Sequence, residues 1–147
     1  MKFLCTLFLT VCCLNVFAAS TADEKAFVDK YKTAFESKDA QTLESFLYTL
    51  GSDEGALQFY KMMMNAEAGS KISKIELVAL TPDEVSKAEE SLSGPFGQMC
   101  LTLKPTKKLV VTVEQNDANG SSNSTSTRFV AEADGKLVIP VPGPCIK

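Results

Sequence analysis

Residues 129–139 read FVAEADGKLVI, and their pattern decides what kind of fold the chain makes. Phe129, Ala131 and Ala133 recur at every second position, as the side chains of one strand face do, and Leu137-Val138-Ile139 is a second short apolar run. Between them stands Asp134-Gly135, a dipeptide suited to a two-residue hairpin, whose favoured turn needs positive φ at both central positions. The late part of the chain is therefore antiparallel β.

Moving towards the N-terminus, Asn116 to Ser126 (NDANGSSNSTS) reads as a polar, flexible hairpin tip. Leu109, Val111 and Val113 then alternate with Val110, Thr112 and Glu114 in a regular strand pattern. Met99 to Leu103 is strand-like too, with Pro105 between the two as an edge or a bulge. Lys71 to Leu80 alternates loosely, with Ile75, Leu77 and Ala79 on one face. Thr81-Pro82-Asp83-Glu84 starts a helix by placing an N-cap, a proline at the first helical position and acids in the first turn. That helix is expected to run towards Leu92 and to stop in Ser93-Gly94-Pro95.

The front of the chain reads as helix. Thr21-Ala22-Asp23-Glu24 has the form of a capping box with Thr21 as N-cap. Phe27, Tyr31 and Phe35 follow at helical spacing, with Val28 beside them, and Ser37-Lys38-Asp39 interrupts. A second helix carries Leu43, Phe46, Leu47 and Leu50 on one stripe and stops at Gly51. A third opens at Ser52 or Asp53, groups Leu57, Tyr60, Met63 and Met64, and ends at Gly69. Helices first and strands after give an α+β class: N-terminal helices packed on a twisted antiparallel sheet, with one extra short helix after the first strand.

Residues 1–18 are expected to be a signal peptide: Met1-Lys2, then the apolar run FLCTLFLTVCCLNVF, then Val16-Phe17-Ala18 with small residues where a peptidase reads them. The alternative is an uncleaved anchor, disfavoured because the strongly apolar stretch is short for a span and diluted by Thr and Asn. Residues 19–147 form a single domain on this reading, exported to a periplasm or secreted. Removing Lys2 leaves 14 basic against 18 acidic side chains, a net charge of −4, which opposes general nucleic-acid binding. Arg128 is the sole arginine, so a bidentate phosphate site is disfavoured.

Cys5, Cys12 and Cys13 leave with the leader, and Cys100 and Cys145 remain as an even pair in an oxidising compartment. A structural disulfide is expected; two free redox thiols would lack the spacing that lowers a thiol's pKa. The chain has no histidine, which removes Ser-His-Asp and Cys-His catalysis and the commonest metal ligand. No metal and no cofactor is expected, and Gly94-Pro95-Phe96-Gly97 has neither the spacing nor the lysine of a phosphate loop. Asn119-Gly120-Ser121 and Asn123-Ser124-Thr125 match the glycosylation sequon, which matters only in a eukaryotic secretory pathway.

Phe27 to Tyr31 and the Lys38-Asp39-Ala40 step, together with the hairpin over 129–139, resemble the nuclear-transport-factor-two-like superfamily, also called SnoaL-like or cystatin-like α+β. The resemblance implies a cone of helices wrapped by a sheet, with a cavity inside. Members include isomerases, dehydratases, transport receptors and exported proteins, so the fold leaves function open. The catalytic members use an acidic base, often beside His or Tyr.

The cavity-lining candidates are Phe27, Tyr31, Phe35, Phe46, Tyr60 and Met63, and ordinary core packing is the competing reading of the same residues. A catalytic site would need a phenol from Tyr31, Tyr48 or Tyr60 and a base from Glu76, Glu114 or Glu132. The glutamates alternate with apolar residues as solvent-facing positions do. Three functions follow: a non-enzymatic domain binding a small apolar ligand or a protein partner, a cofactor-free isomerase or hydrolase, or a structural or homodimeric envelope protein. None involves a membrane span after cleavage of the leader.

Overall fold

The first helix begins one residue earlier than its sequence suggests. In the computed structural model, which describes residues 20–94, 97–117 and 120–145, Ser20 caps α1 (Thr21–Glu36). Its hydroxyl accepts from the Asp23 N–H at 3.2 Å, and the Asp23 carboxylate accepts from the Ser20 N–H at 3.0 Å. Asp23 thus does the reciprocal work expected of Glu24, which pairs instead with Lys107 at 3.0 Å. The leader, its cleavage point after Ala18 and the Asn119 sequon lie outside the described residues.

Asp39 caps the short α2 (Ala40–Glu44), and here the expected helical stripe fails. Leu47 and Tyr48 are a two-residue strand, β1 (Leu47–Tyr48), and Leu50 is 73% exposed. The reason lies in the backbone: the N–H groups of Ile139 and Val141 donate to the carbonyls of Phe46 and Tyr48, at 2.8 and 3.4 Å. A segment committed to a sheet partner cannot complete its own helical turns.

Asp53 caps α3 (Glu54–Glu67), and β2 (Lys71–Ala79) follows. Then comes α4 (Pro82–Glu89), capped by Thr81 and Glu84 reciprocally as its sequence implies. Lys108 reaches back to Glu84 and ties this helix to the sheet. Instead of running on to Leu92, α4 ends at Glu89, and residues 92–94 form β3 (Leu92–Gly94). The remaining strands are β4 (Gly97–Leu101), β5 (Lys107–Asp117), β6 (Gly120–Ala133), β7 (Lys136–Pro140) and β8 (Pro142–Pro144).

The stretch expected to be a loop, Asn116 to Ser126, is mostly paired strand, with a register running from Lys107↔Val130 to Asp117↔Gly120. Small polar side chains show no apolar alternation, yet their backbones hydrogen-bond as well as any others. At the far hairpin, Asp134 and Gly135 take φ of 51° and 71°, the positive pair that the Asp-Gly sequence implies.

The architecture is α+β, with the N-terminal helices packed on a sheet. The sheet is not wholly antiparallel. Five strands run in the order β1-β7-β6-β5-β2, with β1 parallel to β7, and β3, β4 and β8 form a separate three-stranded sheet. One late run of chain serves both: β7 ends at Pro140, Val141 is fully buried at the corner, and β8 pairs with β4. Gly143 passes so close to the loop before α3 that a Cβ on it would lie 2.0 Å from the Gly51 carbonyl oxygen. The Sγ atoms of Cys100 and Cys145 are at bonding distance, 2.12 Å, so the expected bridge fastens this run to β4.

Leu109, Val111 and Val113 face the helices, and Phe27, Tyr31, Phe35, Leu43 and Phe46 pack on them. The Phe46 ring meets Phe27 edge-on at 5.1 Å and Tyr31 at 5.4 Å. Among the described residues, no helix is long and apolar enough to cross a membrane.

Candidate binding site

The site is made where two strands part. β6 and β7 pair at Ala131↔Val138, Glu132↔Leu137 and Ala133↔Lys136, and go no further. Alternate residues of a strand direct their N–H and C=O groups to opposite sides. Ile139 and Val141 direct theirs to β1, so Val138 and Pro140 face β6. Val138 still pairs, but the next rung falls on Pro140, which has no N–H to donate. The ladder stops there, and β1 draws β7 away.

The same alternation fixes which groups of β6 are left facing the gap. Thr106 donates to the Val130 carbonyl at 3.0 Å, so Val130 and the even-numbered residues before it face β5. Thr125, Thr127 and Phe129 turn their main-chain N–H and C=O groups the other way. Among the described residues, no strand pairs with β6 on that side from Ser122 to Val130.

α3 roofs the gap and leaves a cavity of about 300 Å³. Phe59, Tyr60, Met63 and Met64 line it from α3, Ile139 and Pro140 from β7, and Ser126, Thr127, Arg128 and Phe129 from β6. Four consecutive residues share that last wall. Side chains on a strand point to opposite faces in turn, so neighbours line one space together only along the strand's edge.

The inner face of β6 turns polar at this point. Val130 is fully buried, but Arg128 and Ser126 are its next two members, opposite Leu109 and Val111. Arg128 Nη2 donates to Glu67 Oε2 at 2.7 Å and Nη1 to Ser126 Oγ at 2.9 Å, while Ser126 Oγ donates to Glu67 Oε2 at 3.3 Å. The guanidinium side chain is only 10% exposed. Close behind lies the Tyr31 hydroxyl, fully buried and without a hydrogen-bond partner among the described residues. Burial pushes the Tyr31 phenol up from its usual range, the Arg128 charge works against this, and Glu67 adds to it. Tyr60 is pushed up by burial as well, again opposed by Arg128.

Of the six residues expected to line a cavity, Tyr60 and Met63 do so. Phe27, Tyr31, Phe35 and Phe46 are 0–7% exposed and belong to the core, because Leu109, Val111 and Val113 close over them and leave no space on that face. Glu76 is exposed and pairs with Lys74 at 2.8 Å. Glu114 is exposed at the register of Lys71 and Asn123, and Glu132 is half-buried beside the Asp134 turn. Tyr48 is committed to β1. The polar corner actually present, Glu67 with Arg128 and Ser126, was not picked out by sequence reasoning. Its only sequence signal is that one arginine stands among 14 lysines, in a strand of small polar residues.

A second hollow, about 390 Å³ on α1 and α2, is lined by Asp29, Lys30, Thr33, Ser37, Asp39 and Thr42 among others. Its hydroxyls are spent locally, Thr33 on the Asp29 carbonyl and Thr42 on the Asp39 carboxylate, so it offers no comparable apolar wall.

No protein-family model matches the chain, and no curated protein matches it. Among solved structures, the chain is similar to the helical cell shape determining protein Pgp2 from Campylobacter jejuni, at 13% identity and a TM-score of 0.42. The likeness covers 80% of this chain and 38% of that one, so it spans little more than a third of the neighbour's length.

Proposed function

We propose that the protein is an exported, non-enzymatic binding domain that takes an apolar group, from a small ligand or from a protein partner, into the cavity under α3. The observation that carries this reading is the cavity's make-up. Phe59, Tyr60, Met63, Met64, Phe129, Ile139 and Pro140 form most of its wall, and its charged groups, Arg128 and Glu67, neutralise each other. At about 300 Å³ it lies at the small end of ligand sites, with room for a small aromatic or alkyl molecule. Phe59 and Met63 are each 43% exposed, as residues at a mouth are. The expected leader and the Cys100–Cys145 bridge support export.

The isomerase or hydrolase reading has less behind it. Glu67 is the acid whose charge acts on the Tyr31 phenol, and its Oε2 is held by Arg128 and Ser126 rather than aimed at a substrate. Glu76 and Glu114 stand exposed on the sheet.

Titration with the neutral fluorophore N-phenyl-1-naphthylamine tests the proposal. The probe is expected to bind in the micromolar range, and Met63→Glu, which places a charge at the mouth, to weaken binding at least tenfold with unchanged thermal stability. No fluorescence change with the wild-type protein, or equal binding by the variant, would end it.

A further inference from the structure

Building on the cavity reading above, we infer that the open edge of β6 is a docking strand for an extended polypeptide segment of a partner protein, which adds to the sheet beyond β7 and inserts one apolar side chain into the cavity. Three observations meet here. Among the described residues β6 has β5 on one side only from Ser122 to Val130, and Ser122 to Thr125 and Thr127 are solvent-exposed. The main-chain groups of Thr125, Thr127 and Phe129 face outwards at every second residue, about 7 Å apart, a repeat that another extended backbone reproduces. The cavity opens along this same edge, with Ser126 to Phe129 as its wall.

A small apolar molecule would fill the cavity but leave those N–H and C=O groups to water. An added strand uses both: its main chain supplies the hydrogen bonds, and the pocket for one of its side chains sets specificity. The length available, Ser124 to Phe129, accommodates about five or six residues of partner. Exposed edges invite indiscriminate pairing, and natural sheets blunt them. Here α3 covers the cavity end of the edge, so a partner must fit beneath the helix to pair along its whole length.

The test is a display selection of random heptapeptides on the purified protein, followed by titration of the selected synthetic peptides. Peptides are expected to bind in the micromolar range, to displace N-phenyl-1-naphthylamine, and to slow amide exchange at Thr125, Thr127 and Phe129. Thr127→Pro removes an outward N–H without touching the β5 ladder. It is expected to weaken peptide binding at least tenfold while leaving the melting temperature within a few degrees. Should this variant fail to fold, the exchange pattern of the wild-type protein decides alone. If the fluorophore binds and no peptide is selected, the docking strand is refuted and the cavity reading stands. If neither binds, both fall. Peptides that protect amides elsewhere overturn the inference. So does slowed exchange at these three amides without peptide in a sample that sediments as a dimer, since a second copy would then own the edge.

Discussion

Arg128 and Glu67 meet at 2.7 Å across 61 residues of sequence, joining the middle of β6 to the last residue of α3. The pair fixes the height of the helix above the strand and so sets the opening of the cavity. Replacing Arg128 by Leu removes the partner of a half-buried carboxylate and of the Ser126 hydroxyl. The expected cost is about 1–2 kcal/mol in chemical denaturation. Glu67→Gln, which keeps the shape and an acceptor oxygen, should cost less than 1 kcal/mol. A double-mutant cycle should return a coupling of at least 0.5 kcal/mol or so. Strict additivity would mean the contact is incidental.

Tyr31 separates packing from hydrogen bonding at one position. Its ring is wholly buried between Phe35 and Phe46, so Tyr31→Ala is expected to cost about 3–5 kcal/mol. Its hydroxyl has no partner among the described residues, so Tyr31→Phe should be neutral or stabilising by up to about 1 kcal/mol. A destabilised Phe variant would show that the hydroxyl is satisfied by ordered water.

The raised phenol pKa values of Tyr31 and Tyr60 predict an alkaline limit. Both groups are harder to ionise folded than unfolded, so their contribution is complete below the unfolded value near 10 and is lost as pH rises through the folded value. Stability should therefore fall above about pH 10. The double Phe variant should fall less steeply in that range, and an identical slope would remove both tyrosines from the account.

Reduction of the Cys100–Cys145 bridge opens a loop whose ends are 45 residues apart. The chain-entropy argument gives a loss of about 4 kcal/mol, or a fall in melting temperature of roughly 10 °C or more. The measurement is a thermal melt with and without reductant, against the Cys100→Ser, Cys145→Ser double variant. A shift under about 2 °C would mean that the strand pairing of β4 with β8 alone holds the end in place.

Gly143 has no room for a side chain, since the atom it would meet is a backbone oxygen that cannot swing aside. Gly143→Ala is expected to cost at least 2–3 kcal/mol by the overpacking it forces. Gly135→Ala, strained only by its positive φ of 71° and facing open space, should cost about 1 kcal/mol. Comparable losses at the two sites would contradict the close approach of Gly143 to Gly51.

What the sequence made legible was local. The α1 aromatics, the Thr81-Pro82 start of α4, the Asp134-Gly135 turn and the alternation from Leu109 to Val113 each follow from rules acting within a few residues. The β1 strand could not be read that way, because Leu47 and Tyr48 take their conformation from Ile139 and Pro140. The polar half of β6 was hidden for another reason: Ser124, Ser126 and Arg128 occupy the helix side of the sheet, where apolar residues would have announced a strand. The site escaped notice with it. Its members come from the end of one helix and the middle of an inconspicuous strand, and what joins them is the parting of β6 from β7 at a proline.

The run from Lys136 to Pro144 pairs in turn with β6, β1 and β4, which gives the chain an order of events in time. A ribosome delivers Leu47 about ninety residues before the Ile139 that must lie beside it. Until those late residues are made, then, β1 has no partner and β4 has no neighbour on its β8 side. The second cysteine is the next residue after β8, so the bond that fastens this run to β4 is the last of its ties to be made.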